Sequence, residues 1–189
     1  MSAALVSLLV GGPILYERHR HFTYRNFRIV EEKKLYRCGQ LSAEVLQKTI
    51  EEYGIKSVIS LRYAEAPEKN PKDWREEETC KANGIRYYRI RPREWSGNDQ
   101  EGKIPADKPF AEFLKIMDDP TNYPVLVHCF AGKHRTGSFC AMYRMEYEHW
   151  SSDEALQELK SLGYEKLNNE EAGARAYLSA YQPRWKRFD

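Results

Sequence analysis

Cysteine is scarce in this 189-residue chain: only Cys38, Cys80, Cys129 and Cys140 occur, all far apart. That spacing excludes a zinc cluster built from close pairs, and the number is too small for a disulfide scaffold. An excess of charge of one sign is also lacking. Thirty basic against 28 acidic residues leave a formal net charge of +2. That is too little for a general nucleic-acid binder, so no nucleic-acid partner is expected and any basic patch must be local. Internal repeats and low-complexity segments are missing as well. What remains is 41% hydrophobic and 13% aromatic, a globular composition in a chain long enough for one domain with a real core.

Long hydrophobic runs are absent, with one partial exception. Residues Ala3–Tyr16 are apolar, but a bilayer span needs roughly 20 such residues. The basic run Arg18-His19-Arg20-His21 follows the apolar stretch, whereas a signal peptide carries its positive charge first. Two readings stand: a helix packed on the domain or a loose tail on one hand, and a membrane anchor with part of its span missing on the other. An inserted anchor would hold the rest of the chain on the cytoplasmic side. The chain therefore divides into an apolar-then-basic segment, 1–25, and a domain, 26–189.

Within that domain, periodicity and cap residues predict alternating elements. Strands are expected at Arg28–Glu32, Lys34–Arg37, Ser57–Arg62, Ile85–Arg91 and Val125–His128. Helices are expected at Ala43–Tyr53 (between Ser42 and Gly54), Asp73–Asn83, Asp107–Asp118, Thr136–Trp150, Ser152–Leu162 and Asn169–Tyr181. Asp107 is read as a helix cap, and Ser152 or Asp153 as another. The alternation implies a single α/β domain with a central, mostly parallel sheet flanked by helices. Ligands of such sheets bind beyond the carboxyl ends of the strands.

At one of those ends the chain reads His128-Cys129-Phe130-Ala131-Gly132-Lys133-His134-Arg135-Thr136-Gly137. A loop bent around a helix N-terminus points several amides at one spot, which suits an anion. Arg135 adds a planar two-pronged donor matched to phosphate oxygens. Cys129 places sulfur at the mouth. Amides, a helix N-terminus and an arginine stabilise a thiolate, and such settings lower cysteine pKa values to about 3.5–7.5.

This stretch resembles the signature loop of the cysteine-dependent protein tyrosine phosphatase superfamily. Its Gly-Lys-His-Arg-Thr-Gly core looks most like the atypical dual-specificity phosphatases of plants, fungi and bacteria. Leu35-Tyr36-Arg37-Cys38-Gly39-Gln40 resembles the Tyr-Arg-Ser-x-Gln segment of that group, and Ser57–Arg62 resembles its first core strand. The likeness covers roughly residues 26–180. It departs from the lipid-directed pattern at Phe130, where a second lysine is expected, and from the plant and fungal pattern at Ala131, often basic there.

The resemblance implies a metal-independent phosphatase, without cofactor, that works through a phosphocysteine. Cys129 would be the nucleophile, Arg135 the phosphoryl clamp and Thr136 the hydroxyl that helps the thiolate leave, or simply a helix cap. Phe130, Ala131, Gly132, Lys133, His134 and Arg135 would bind substrate. The general acid, in the family an aspartate some thirty residues before the cysteine, falls on Asp99, with Glu101, Glu94 and Asp107 as competitors. His128 either buttresses the loop or is an ordinary core histidine. Cys38, in the place of a family serine, is a small-residue replacement or a thiol able to oxidise against Cys129. Substrates are a phosphoprotein carrying phosphotyrosine or a phosphorylated small molecule such as an inositol polyphosphate. Lys133 and His134 favour the latter through added positive field. The competing reading is a catalytically weak phosphate-binding module using the same loop. A sulfurtransferase is disfavoured by the Arg-Thr-Gly helix start. A working thiolate favours a reducing compartment, so the expected location is cytoplasmic, with membrane attachment through residues 3–16 as the open alternative.

Overall fold

The structure, a computed structural model, describes residues 24–63, 71–95, 104–163 and 169–187. Their strands are β1 (Arg28–Glu31), β2 (Leu35–Gly39), β3 (Ser57–Ser60), β4 (Arg86–Arg89) and β5 (Val125–Cys129). Their helices are α1 (Ala43–Tyr53), α2 (Pro71–Ala82), α3 (Asp107–Met117), α4 (His134–Tyr147), α5 (Ser152–Ser161) and α6 (Asn169–Ala180). The sheet runs β1-β2-β5-β3-β4, with β1 and β2 antiparallel and every other pair parallel. This is the expected α/β domain with a mostly parallel sheet.

Strand β5 lies in the middle because it is apolar on both faces. Val125, Leu126 and Val127 are completely buried, and each such side chain contributes about 1.5–3 kcal/mol. Side chains alternate across a strand. Val125, Val127 and Cys129 thus enter the core shared with α3, α4, α5 and α6, while Leu126 joins Tyr36, Cys38, Leu46 and Cys80 on the α1 and α2 side. That alternation decides which face of the sheet carries the sulfur.

Local signals explain the helix ends. Ser42 caps α1 by accepting from the Val45 amide, and Gly54 closes it in a left-handed conformation with φ of 63°. Two expected caps shift. Ser151, not Ser152 or Asp153, starts α5: its hydroxyl accepts from the Glu154 amide, and its own amide donates to the Glu154 carboxylate. The Ser-x-x-Glu spacing begins one residue earlier than expected. Asp107 does not cap α3. It is the first helical residue, and its carboxylate accepts from the Tyr177 hydroxyl of α6 at 2.6 Å.

Candidate active site

The turn from β5 into α4 is held open by bonds to its carbonyls. Phe130 O accepts from the Gln40 amide at 3.1 Å, Ala131 O from Asn26 Nδ2 at 2.9 Å, and Gly132 O from Arg37 Nη2 at 2.8 Å. In a trans peptide the N–H points opposite to the C=O. Tying three successive carbonyls outward therefore turns the amides of Ala131, Gly132 and Lys133 the other way, into the loop. The loop closes against β2 only because both contact points are glycine. A Cβ on Gly132, whose φ is 70°, would lie 2.4 Å from the backbone of Cys38 and Gly39, and one on Gly39 would lie 2.9 Å from Phe130 O. The result is a cradle of N–H groups, suited to an anion.

Helix α4 begins at His134, two residues before the expected start, with Lys133 at its cap position making no side-chain cap bond. Thr136 is accordingly inside the first turn and does not cap the helix. Its hydroxyl is buried without an aligned hydrogen bond, and it is near enough to Cys129 to act on the thiol. Burial by itself would push the Cys129 thiol up. The Thr136 hydroxyl and amide, the Gly132 amide and the charge of His128 outweigh it and hold the thiol below its ordinary value.

His128 is not an ordinary apolar-core histidine. Its Nε2 lies 2.9 Å from Glu76 Oε1 of α2, with both side chains at most 4% exposed, and its Nδ1 lies 3.3 Å from Cys129 O. The Nε2 contact acts first through the Glu76 charge. Burial pulls the imidazole pKa down, and Glu76 more than compensates, leaving it raised. Tyr87 donates its hydroxyl to the same carboxylate oxygen at 3.0 Å.

Arg135 is half-buried, with Nη1 3.5 Å from Leu61 O and its guanidinium 5.0 Å from the centre of the Tyr63 ring. Phe130 is exposed at the mouth, Lys133 lies across Gly163 just beyond α5, and His134 is exposed. The structure thus brings Cys129, Phe130, Ala131, Gly132, Lys133, His134, Arg135 and Thr136 into one loop and helix start. Asp99 and Glu101 lie outside the described residues, as does the segment Ala3–Tyr16. Glu94 is exposed, and Trp95 beside it packs against Phe110 of α3 and Tyr177 of α6. Cys38 pairs in register with His128, and its side chain enters the core opposite that of Cys129. Burial pushes its thiol well up. That placement favours the small-residue replacement over a thiol partner for Cys129.

Several residues behind the cradle were missed in the sequence. Gln40 Nε2 donates to the buried Asp73 at 2.5 Å while Gln40 Oε1 accepts from Arg62, whose Nε lies 3.3 Å from Asp73. Asp73, Glu76 and Cys80 form the buried face of α2. Their i, i+3, i+7 spacing was the available signal, but an acidic stripe reads as a solvated face. Arg37 and Gln40 stood inside the Tyr-Arg-x-x-Gln segment, which offered a clue to them. Among the described residues no group of histidine, cysteine and carboxylate side chains is arranged to hold a metal ion, and no helix is long and apolar enough to cross a membrane.

A buried cysteine at the end of a parallel strand, its thiol held below its ordinary pKa and followed by a loop of inward-turned amides, is an arrangement suited to cysteine-based phosphate chemistry. Over residues 22–186 the chain matches the tyrosine phosphatase family, and it belongs to that family. It is 31% identical over 135 residues to inositol diphosphatase DSP3 of Arabidopsis thaliana, covering 70% of this chain and 60% of the relative. It is 27% identical over 133 residues to inositol diphosphatase SIW14 of Saccharomyces cerevisiae, covering 70% of this chain and 44% of that protein. The chain thus spans about half the length of these curated relatives. Among solved structures, the core catalytic domain of the yeast PP-IP phosphatase SIW14 in complex with citrate superposes with a TM-score of 0.63 at 26% identity, covering 87% of this chain and 91% of that one. TpbA of Pseudomonas aeruginosa shares the fold, with a TM-score of 0.64 at 20% identity over 87% and 89% of the two chains.

Proposed function

We propose that this protein is a phosphatase that hydrolyses phosphate monoesters or inositol pyrophosphates through a phosphocysteine, using no metal. The observation that carries this reading is Cys129, held below its ordinary pKa by the Thr136 and Gly132 groups of the cradle. The thiolate attacks phosphorus in line, forming an S–P bond as the bond to the leaving oxygen breaks. The cradle amides and Arg135 stabilise the charge on the equatorial oxygens. Asp99 donates a proton to the leaving oxygen. The same carboxylate then takes a proton from water, the water oxygen attacks phosphorus, and the S–P bond breaks as the Thr136 hydroxyl stabilises the departing thiolate.

The substrate class proposed is inositol polyphosphates and pyrophosphates ahead of phosphotyrosyl peptides. Lys133 and His134 on the loop support it, and so do relatives named inositol diphosphatases. The expected result is hydrolysis of p-nitrophenyl phosphate in EDTA, blocked by vanadate. Cys129→Ser should abolish turnover while still binding phosphate. Phosphate binding by the native chain with no turnover on any ester would instead support the phosphate-binding module. A phosphotyrosyl peptide with the highest kcat/KM in a panel would overturn the substrate class. The proposed location is cytoplasmic, where thiols stay reduced. Flotation of the full chain with liposomes tests whether residues 3–16 also attach it to a membrane.

A further inference from the structure

Two arginines that the proposed reaction does not use converge on the ring of Phe130. The Arg25 guanidinium carbon lies 4.8 Å from the centre of the Phe130 ring, and that of Arg62 lies 5.2 Å from it. Phe130 follows the nucleophile directly and is 59% exposed. A phenyl face attracts cations, so this ring gathers two positive groups on the residue next to Cys129 against their mutual repulsion. The two are held differently. Arg62 is partly matched by Asp73 and Gln40. Arg25 has no carboxylate partner among the described residues.

The backbone under Arg25 is unusual as well. Arg25 and Asn26 have φ of 42° and 62°, a left-handed pair in which neither residue is glycine, and side chains rarely adopt that region. The turn is locked onto the site itself. Gly39 N donates to Arg25 O at 2.5 Å, and Asn26 Nδ2 donates to Ala131 O. Strain of this kind persists only where surrounding contacts impose it, and here β2 and the cradle impose it, setting Arg25 over Phe130. The outcome is an unneutralised guanidinium fork over the ring of the residue that follows Cys129.

We propose that Arg25 and Arg62, stacked on Phe130, form a second anion subsite that grips a phosphate neighbouring the one being hydrolysed. This rests on the phosphatase reading above and names the residues that select substrates with clustered phosphates. A single-phosphate ester fills the cradle and leaves the subsite empty. A pyrophosphate or a ring with adjacent phosphates engages both, and the fork geometry of arginine suits the second group.

The test compares kcat/KM on a diphosphoinositol polyphosphate with kcat/KM on p-nitrophenyl phosphate. Arg25→Ala should lower the first about tenfold more than the second, the cost of one charged hydrogen bond, and mainly through KM. Arg25→Lys should recover part of the loss. Phe130→Ser, which removes the platform but no charge, should lower the same ratio. Equal losses on both substrates, or no selective loss on the polyphosphate, would overturn the subsite. Should Phe130→Ser impair only phosphotyrosyl peptides, the ring serves an aromatic substrate and the subsite is again rejected. If the native chain hydrolyses neither ester, the phosphatase reading fails, and the subsite is then judged by calorimetric binding of inositol hexakisphosphate. A tenfold weaker affinity in Arg25→Ala supports it, and an unchanged one rejects it.

Discussion

At the scale of single residues, the proposed chemistry depends on the Cys129 sulfur and the groups that lower its pKa. Glu76 acts on it at one remove, by raising the pKa of His128 behind the loop. Glu76→Gln keeps the shape and removes the charge, so the imidazole should lose its proton at lower pH. The thiolate then loses a favourable charge and its pKa rises. Alkylation of Cys129 by iodoacetamide, followed against pH, should show its midpoint displaced to higher pH in the variant; an unmoved midpoint would reject the coupling. His128 also carries a stability signature. Its raised pKa means that its contribution is complete below the unfolded value of about 6.5 and fades as pH climbs through the folded value. Glu76→Gln should flatten that dependence. The acid presents a different test. Asp99→Asn should slow alkyl phosphates by about 10²–10⁴-fold and p-nitrophenyl phosphate less, because nitrophenolate leaves with little protonation. If Glu101→Gln shows that pattern and Asp99→Asn does not, the proton comes from Glu101.

At the scale of elements, the cradle is a product of β2 as much as of the loop. Arg37 and Gln40 each fasten one loop carbonyl, and Gly39 and Gly132 meet where no Cβ fits. Gly132→Ala must push the loop off β2 and adopt a positive φ with a side chain. Overpacking alone costs about 1–3 kcal/mol, which a denaturant midpoint would register. Vanadate affinity should fall with it, since the amides lose their common aim; a variant of native stability and affinity would show that the loop has slack the contacts do not suggest. Helix α4 is set in place from its far side. A Cβ on Gly137 would lie 2.3 Å from Leu159 Cδ1, so the glycine after Thr136 lets α5 pack closely. Arg144 bonds Val30 O at 2.9 Å together with Glu148 and Glu158, joining α4 to β1 and α5. Cys129 thus sits in a frame fixed on both sides.

At the scale of the whole molecule, the net charge of +2 gives little long-range field, and substrate selection falls to charges near the cradle. A preference for polyphosphates should therefore shrink as salt rises from about 0.05 to 0.5 M, because exposed charges are screened within about 10 Å at 0.1 M. Activity on p-nitrophenyl phosphate should change less. A preference that survives high salt would point to buried contacts instead.

What the sequence by itself determined was local. The apolar run before Cys129, the glycines, the Arg-Thr-Gly start and the caps of α1 follow from neighbouring residues, and so did the α/β alternation that set the sulfur at a strand end. The cap of α5 was off by one only because several candidate residues stood in a row. What tertiary structure decided was which distant groups meet. Glu76 and Asp73 lie more than fifty residues before Cys129, on a helix face that looks solvent-facing until the sheet covers it. Arg25 precedes the domain's first strand, yet its turn is bonded to the cradle. Local patterning records how a segment prefers to bend and which side it buries. It carries no record of which charge will be brought against which loop, because that is fixed by strand order and register.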